Sequence, residues 1–124
     1  MQNYFLVGIG AAFGGIFRYW LSGAVQRKLP FTFPLGTLTV NILGSFLLGF
    51  IIFFLDSREL ISSEMRIFLT IGFCGGFTTF STFSFETINL IRDAEYFYAF
   101  LNAGLNLFLT LSAVILAYYL SKIL

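Results

Sequence analysis

The residues of this chain best suited to chemistry lie between Gly75 and Glu86, in a stretch rich in glycine, hydroxyl groups and phenylalanine. The stretch reads Gly75-Gly76-Phe77-Thr78-Thr79-Phe80-Ser81-Thr82-Phe83-Ser84-Phe85-Glu86. It lies within a segment that is otherwise apolar enough to cross a bilayer. Polar groups at membrane depth are tolerated only where protein buries them or a watery path runs past them, and a carboxylate there indicates a functional site. The stretch therefore predicts a site that faces something other than lipid.

The paired glycines Gly75 and Gly76 allow two interpretations. A helix is weakened by glycine, and a break at this pair would free backbone carbonyl groups. Such carbonyls are good ligands for a hard cation such as Na⁺. The alternative is that the glycines only allow two helices to cross closely.

The aromatic residues Phe80 and Phe83 are three positions apart, so a helix places them on one face, with Ser81 and Ser84 in a parallel row. The edge of an aromatic ring carries positive potential, and hydroxyl protons can complete the shell of an anion. This lining suits a small, hard, strongly hydrated anion. Core packing is the alternative, because the chain has 18 phenylalanines, but the interleaved hydroxyl groups favour the functional interpretation.

Amide side chains form a second polar group. Asn41 can both donate and accept, and Asn102, Asn106 and Thr110 follow one face of the last helix at intervals of four residues. Buried asparagine is costly without partners, so these side chains are expected to meet one another, Arg18 or water. Hydrogen bonding between helices without transport is the alternative.

The positions of the charges predict an all-α integral membrane protein. Of the 124 residues, 58% are hydrophobic and 10% charged, and the mean hydropathy is +0.90. Uncharged stretches separate the charge clusters, each close to the ~20 residues that span a bilayer as helix. Four transmembrane helices are predicted at about 4–25, 35–55, 65–91 and 96–122, in one domain covering residues 1–124. Pro30 and Pro34 mark the first connection.

Two charges, Arg18 and Glu86, lie within these predicted spans. Arg18 could neutralise Glu86, attract an anion, or extend its side chain into a wet vestibule.

The basic residues outside the spans show no preference for either side of the membrane. One side holds Arg58, Arg66 and Lys122, and the other holds Arg27, Lys28 and Arg92. Because cytoplasmic loops normally carry the excess of Lys and Arg, this balance favours insertion in both orientations and an antiparallel homodimer. The alternative is that other factors select one orientation.

Small residues at intervals of four or five offer surfaces on which helices can approach closely. They are Gly10 with Gly14, Ala11 with Gly15, and Gly44 and Ser45 with Gly49. They can serve either the dimer or packing within one chain.

The residue types argue against several functions. The chain has no His and one Cys, so zinc sites, disulfides and His-based catalysis lack their components. No glycine is followed by the Lys and Ser/Thr of a phosphate loop, and Arg27-Lys28 is too small a basic patch for nucleic acid. We therefore expect neither an enzyme nor a nucleotide- or nucleic-acid-binding protein.

Over essentially its whole length the chain resembles the Fluc (CrcB-type) fluoride channels. The motifs that carry the resemblance are Gly14-Gly15-Ile16-Phe17-Arg18-Tyr19, Gly36-Thr37-Leu38-Thr39-Val40-Asn41 and the run from Gly72 to Glu86. The last of these is highly specific. The resemblance implies a dual-topology homodimer in the cell membrane, with two antiparallel pores through which fluoride leaves the cell.

The resemblance also implies roles for individual residues. Phe80 and Phe83 would contact fluoride through their ring edges, and Asn41 would be a donor in the pore. Ser81, Thr82, Ser84 and Glu86 would form a polar track, and Arg18 would lie by the pore or vestibule. Main-chain oxygens of Gly75 and Thr78 from both subunits would hold a structural Na⁺. Asn106 departs from the family pattern, in which a small or differently polar residue is expected.

The full set of candidate pore residues combines the resemblance with the polar face of the last helix. It consists of Arg18, Asn41, Phe80, Ser81, Thr82, Phe83, Ser84, Glu86, Asn102, Asn106 and Thr110.

Two other classes remain as alternatives. A coupled antiporter like the small multidrug exporters also has four helices and dual topology, but it needs a carboxylate in the first helix, where this chain has Arg18. A non-transporting assembly subunit would leave the Phe/Ser/Thr run unexplained.

Overall fold

The computed structural model describes residues 1–29 and 32–124. Pro30, which was predicted to mark the first connection, lies outside the described residues. Pro34 precedes the second span directly and is buried.

Four segments of the described chain are long and apolar enough to cross a membrane. The helices are α1 (Gln2–Lys28), α2 (Leu35–Asp56), α3 (63–77), α4 (Phe80–Arg92) and α5 (Tyr96–Ile123), with α3 and α4 together forming the third span. Each span agrees with its predicted bounds to within three residues, and the described part of the chain contains no β-strand. The all-α prediction is confirmed.

Two stretches of these spans are wound more loosely than an α-helix. The end of α2, Ile51–Asp56, and the middle of α3, Phe68–Cys74, are π-helical. Such turns often occur at functional sites. In α3 the wide turns end shortly before the helix itself ends, so the third span changes its winding before it breaks.

The break in the third span lies at Thr78 and Thr79, three residues beyond the predicted position. Both residues are extended, with φ/ψ of −92°/159° and −151°/121°, whereas Gly75 is helical at −63°/−36°. The hydroxyl oxygen of Thr79 accepts a hydrogen bond from the backbone N–H of Thr82 at 3.1 Å and so caps α4. The third span is therefore broken, but the interpretation that placed the break at the glycine pair was wrong, because the capping threonine determines where α4 begins.

The glycines of α1 and α3 allow these two helices to pack backbone against backbone. A Cβ atom on Gly76 would lie 2.5 Å from the carbonyl oxygen of Ala11, and one on Gly10 would lie 2.5 Å from that of Phe68. A Cβ on Gly14 would collide with the carbonyl of Phe73. For Gly76 this confirms the interpretation that the glycines allow two helices to cross closely. For Gly10 and Gly14 it confirms packing within one chain.

Small residues of α2 likewise pack within the chain. A Cβ on Gly44 would collide with the side chain of Thr78, and one on Gly49 would lie 2.9 Å from the Cβ of Ala117. Gly15, by contrast, has no heavy atom within 4 Å of such a Cβ, so this position is open to a partner or to lipid.

The second connection is fastened to the end of α5. The guanidinium group of Arg58 donates to the backbone carbonyl of Ser121 at 2.8 Å and lies 4.3 Å from the ring centre of Phe54. An ion pair of 3.4 Å joins Arg66 to Asp56 across the same connection. The basic residues at this end of the bundle therefore have structural partners.

Candidate functional site

A cavity of about 570 Å³ opens between α2, α3, α4 and α5 beside the break. Seven predicted site residues line it: Asn41, Gly75, Thr78, Phe80, Phe83, Asn106 and Thr110. These residues come from four helices and from the break, so the fold brings together positions that are far apart in the sequence. The cavity is therefore the candidate site.

The aromatic pair lies on the α4 side of this cavity. The ring centres of Phe80 and Phe83 are 5.3 Å apart, with an angle of 58° between the ring planes. Phe80 is 78% exposed in the single chain, which is a high value for a phenylalanine beside polar groups. The predicted common face is confirmed, and the tilt between the rings directs their edges differently.

Asn41 binds the backbone of the break. Its side-chain nitrogen donates to the carbonyl of Thr79 at 3.1 Å, and its side-chain oxygen accepts from the N–H of Thr79 at 2.9 Å. The same nitrogen also donates to Oδ1 of Asn106 at 3.0 Å. Asn41 thus satisfies both backbone groups of Thr79, which the broken helix would otherwise leave unpaired inside the membrane.

The asparagines predicted to need partners find them in one another. The side-chain nitrogen of Asn106 donates to the side-chain oxygen of Asn102 at 3.0 Å and to its backbone carbonyl at 2.9 Å. Asn102 is 1% exposed and Asn106 is 6% exposed, so both amides lie in the protein interior. Asn102 does not line the 570 Å³ cavity.

The hydroxyl groups of the candidate pore residues do not form one connected track, because those of Ser81, Ser84 and Thr110 have different hydrogen-bond partners. The Ser84 hydroxyl donates to the carbonyl of Phe80 at 3.0 Å, and the Thr110 hydroxyl donates to that of Asn106 at 2.5 Å. Ser81 is exposed, and its hydroxyl lies 3.4 Å from that of Thr79. Ser81, Thr82 and Ser84 lie on α4 beside the cavity rather than in its lining.

Arg18 points to the end of α3. Its Nε donates to the carbonyl of Gly76 at 3.0 Å, in a partly buried position. Within residues 1–29 and 32–124, no ion pair connects Arg18 to Glu86. The interpretation of Arg18 as a counter-charge to Glu86 was wrong, because the guanidinium group binds a carbonyl that the break exposes.

The break also frees the carbonyls of Gly75 and Thr78 from helical hydrogen bonding. The N–H of Thr79, four residues after Gly75, donates to Asn41. The N–H of Thr82, four residues after Thr78, donates to the hydroxyl of Thr79. Among the described residues neither carbonyl accepts a hydrogen bond from a backbone N–H, and Gly75 is exposed. Both oxygens are thus available to a cation.

Glu86 lies in a second cavity, of about 410 Å³, together with Gln26, Asn89 and Asp93. The hydroxyl of Thr37 is close to its carboxyl group. Its Oε1 atom is buried and has no hydrogen-bond partner among the described residues. Glu86 lies in the middle of α4 and lines a vestibule that extends to the end of this helix, separate from the cavity that holds the aromatic pair.

Two residues that the sequence analysis did not single out belong to this arrangement. Thr79 provides the cap of α4 and the backbone groups that Asn41 binds. Thr87 accepts a hydrogen bond from Asn102 at 2.9 Å. Thr79 was detectable as a capping residue, because a threonine there directly precedes the apolar Phe80. Thr87, four residues after Phe83, had as its only signal a hydroxyl group within an apolar span.

Fold and site together define a multi-pass membrane protein with a polar and aromatic cavity between its spans. The chain belongs to the family described as CrcB-like protein, Camphor Resistance (CrcB), whose model matches residues 5–118. This assignment confirms the resemblance that the motifs indicated.

Several relatives named "Fluoride-specific ion channel FluC" match nearly the whole chain. The protein of Pyrococcus abyssi is 44% identical over 122 residues, covering 98% of each chain. The protein of Pyrococcus horikoshii is 48% identical over 117 residues, covering 94% of each. The protein of Thermococcus gammatolerans is 46% identical over 116 residues, covering 94% of this chain and 93% of its own. The expectation of a non-enzymatic protein agrees with this family.

Proposed function

We propose that this protein is a fluoride-selective ion channel that lets fluoride leave the cell down its electrochemical gradient, which lowers cytoplasmic fluoride and its toxicity. The observation that carries the proposal is the placement of Phe80 and Phe83 in one cavity with the amide of Asn41. Ring edges offer partial positive charge without a full cation, so they can attract a small anion without holding it permanently. Both amide protons of Asn41 are bound, to Thr79 and to Asn106, so its role is to fix the break beside the rings. The name of the relatives supports the choice of fluoride.

We infer further that two chains pair in antiparallel fashion and form two pores. In the single chain the cavity opens to the outside and Phe80 is 78% exposed, so one chain does not enclose an ion path. A second chain could complete the wall, since lipid would not solvate the polar lining. The equal distribution of basic residues between the two sides supports the antiparallel arrangement.

The freed carbonyls of Gly75 and Thr78 support a structural Na⁺ between two such chains. Oxygen atoms are the ligands that hard cations prefer, and two chains would supply two pairs of them. A bound Na⁺ would supply positive charge that holds the two broken helices together. Asn41 occupies the N–H of Thr79, which leaves the Gly75 carbonyl free, and the hydroxyl of Thr79 occupies the N–H of Thr82, which leaves the Thr78 carbonyl free.

A coupled antiporter is less well supported. The first span, Gln2–Lys28, contains no Asp or Glu that could exchange a proton for a cation. The carboxyl group of Glu86 lies in a vestibule rather than in the cavity that the four helices share.

Fluoride efflux from liposomes tests the proposal directly. Purified protein in vesicles loaded with fluoride is expected to release it when a potassium ionophore removes the opposing voltage, while vesicles loaded with chloride retain their content. Phe83→Ile should reduce fluoride release by at least about fivefold, because it removes an aromatic edge and aromatic contacts are worth about 1 kcal/mol. An ion-selective electrode measures both rates.

The matched control is Phe97→Ile, the same exchange at a residue that is 71% exposed and outside the cavity. Its release rate should equal that of the wild type. Robust chloride release, or fluoride release that moves protons in fixed proportion, would contradict a selective channel. Equal rates for both variants would place the ion path away from the aromatic pair.

A separate experiment tests the two orientations. Cysteine labels placed near the two ends of the chain are expected to be half accessible from each side of the membrane. Three lysines added at the C-terminus, next to Lys122, should trap one orientation and abolish fluoride resistance in cells, because the balance of basic charge is lost. Co-expression with a variant carrying the added lysines in the 27–34 connection should restore resistance. Complete one-sided labelling of the unmodified protein would refute dual insertion.

A further inference from the structure

A chain of hydrogen bonds runs through the protein interior from the break to the middle of α4. Asn41 donates to Asn106 at 3.0 Å, and Asn106 donates to the side chain of Asn102 at 3.0 Å. Asn102 donates to the hydroxyl oxygen of Thr87 at 2.9 Å, and that hydroxyl donates to the carbonyl of Phe83 at 2.8 Å. The series thus connects three asparagines, from two helices, to the backbone of a third.

All of the amide groups in this series are buried. Asn41 is 8% exposed, Asn102 is 1% exposed and Asn106 is 6% exposed. A buried amide that loses its acceptor retains the full cost of its lost hydration. The acceptor for the last amide is Thr87, so the orientation of the Asn102 side chain, to which Asn106 donates, depends on one hydroxyl group.

The two ends of the series enclose the turn that carries the aromatic pair. At one end Asn41 holds both backbone groups of Thr79, the residue before α4. At the other end Thr87 binds the carbonyl of Phe83. The first turn of a helix is normally free to fray, but here it is fixed before Phe80 and after Phe83.

We propose that Thr87 is a positioning residue for ion passage, which acts through Asn102 and Asn106 to hold the Phe80 and Phe83 rings in their relative orientation. This inference rests on the proposed fluoride conduction. Threonines in helices commonly donate to the carbonyl four residues earlier, and Thr39, Thr70 and Thr78 of this protein do so. Thr87 differs from them because its hydroxyl also accepts a hydrogen bond from a buried amide of another helix.

The test is Thr87→Val, which keeps the shape of the side chain and removes both hydrogen bonds. Fluoride flux per assembled channel in liposomes should fall by about tenfold, since the amide of Asn102 loses its acceptor and the series becomes free to rearrange. Thr87→Ser, which retains the hydroxyl group, should conduct within about twofold of the wild type. Thr39→Val is the matched control, because the Thr39 hydroxyl donates to Leu35 at 2.7 Å and the described structure gives it no second partner. Its flux should be unchanged.

Melting temperature and dimer content, measured on the same samples, separate positioning from folding. The inference is supported if Thr87→Val loses flux per assembled channel while its dimer content stays that of the wild type, and if Thr87→Ser restores conduction. A melting temperature below that of Thr39→Val is expected, because the buried amide of Asn102 is left without its acceptor. The inference is overturned if Thr87→Val conducts like Thr39→Val, or if flux and melting temperature fall together without rescue by serine. If Thr87→Val does not assemble, Thr87→Ala replaces it, and failure of both to assemble assigns Thr87 to folding alone. Absence of fluoride flux in the wild type would instead reject the proposed function, and the inference with it.

Discussion

Asn41→Asp is expected to abolish fluoride flux while leaving the protein assembled. The carboxylate has no donor, so its oxygens would face the carbonyl of Thr79 and the side-chain oxygen of Asn106, where the amide now donates at 3.1 Å and 3.0 Å. It would also place a negative charge beside the path of an anion. Two unit charges about 4 Å apart at an effective dielectric constant of 20 repel by about 4 kcal/mol, which corresponds to about a thousandfold in occupancy. Efflux from liposomes measures the loss.

Asn3→Asp is the control for this change, since it introduces the same group at an exposed end of α1. That variant should conduct as the wild type does. Size-exclusion chromatography in detergent verifies that both variants assemble. Normal fluoride flux through Asn41→Asp would mean that the ion does not pass the amide.

Gly76→Ala is expected to destabilise the protein by about 1–3 kcal/mol, which is the usual cost of forcing extra atoms into a packed core. The added Cβ would lie 2.5 Å from the carbonyl oxygen and 3.0 Å from the Cα of Ala11. Both atoms belong to the backbone, so no side chain can move aside, and α1 would have to separate from α3. The same movement would disturb the hydrogen bond from Arg18 to the Gly76 carbonyl. A lower melting temperature in detergent is the expected measurement.

Gly8→Ala provides the comparison, because a Cβ at Gly8 would have no heavy atom within 4 Å. Alanine is favoured over glycine in helices by up to about 1 kcal/mol, so this variant should melt at the wild-type temperature or above it. Equal melting of Gly76→Ala and wild type would show that the crossing of α1 and α3 can open without cost.

The fold could be predicted from the sequence, because long uncharged stretches leave few alternatives to membrane-spanning helices. Charge clusters around Arg27, Asp56 and Arg92 separate the spans, and the helices end close to them. The position of the break was not accessible in the same way. Glycine costs a helix only about 1 kcal/mol, and packing against Ala11 outweighs that preference at Gly76. The cap at Thr79 and its contact with Asn41, 38 residues away, place the break instead.

The site could be predicted only in part, because some of its contacts join residues close in sequence and others join residues far apart. Phe80 and Phe83 are close in sequence, so helical spacing alone brings their rings together. The partner of Asn106 is Asn41, at a separation of 65 residues, and no local pattern specifies such a pair. Arg18 illustrates the same limit. The Gly76 carbonyl is free to accept its hydrogen bond only because the third span is broken. The polar residues could be recognised individually, but their pairing depends on tertiary structure.

The hydrogen bonds between Asn41 and Thr79 give the break an unusual character. With φ/ψ of −151°/121°, Thr79 has the conformation of a residue in an antiparallel β-sheet. The carboxamide of Asn41 donates to its carbonyl and accepts from its N–H, as the peptide groups of a neighbouring strand would. One residue within the third span thus has the backbone conformation of a β-strand, and a side chain makes the hydrogen bonds that a neighbouring strand would make. Unpaired backbone groups of an extended residue would be costly inside a bilayer, and the single amide of Asn41 pairs both of them.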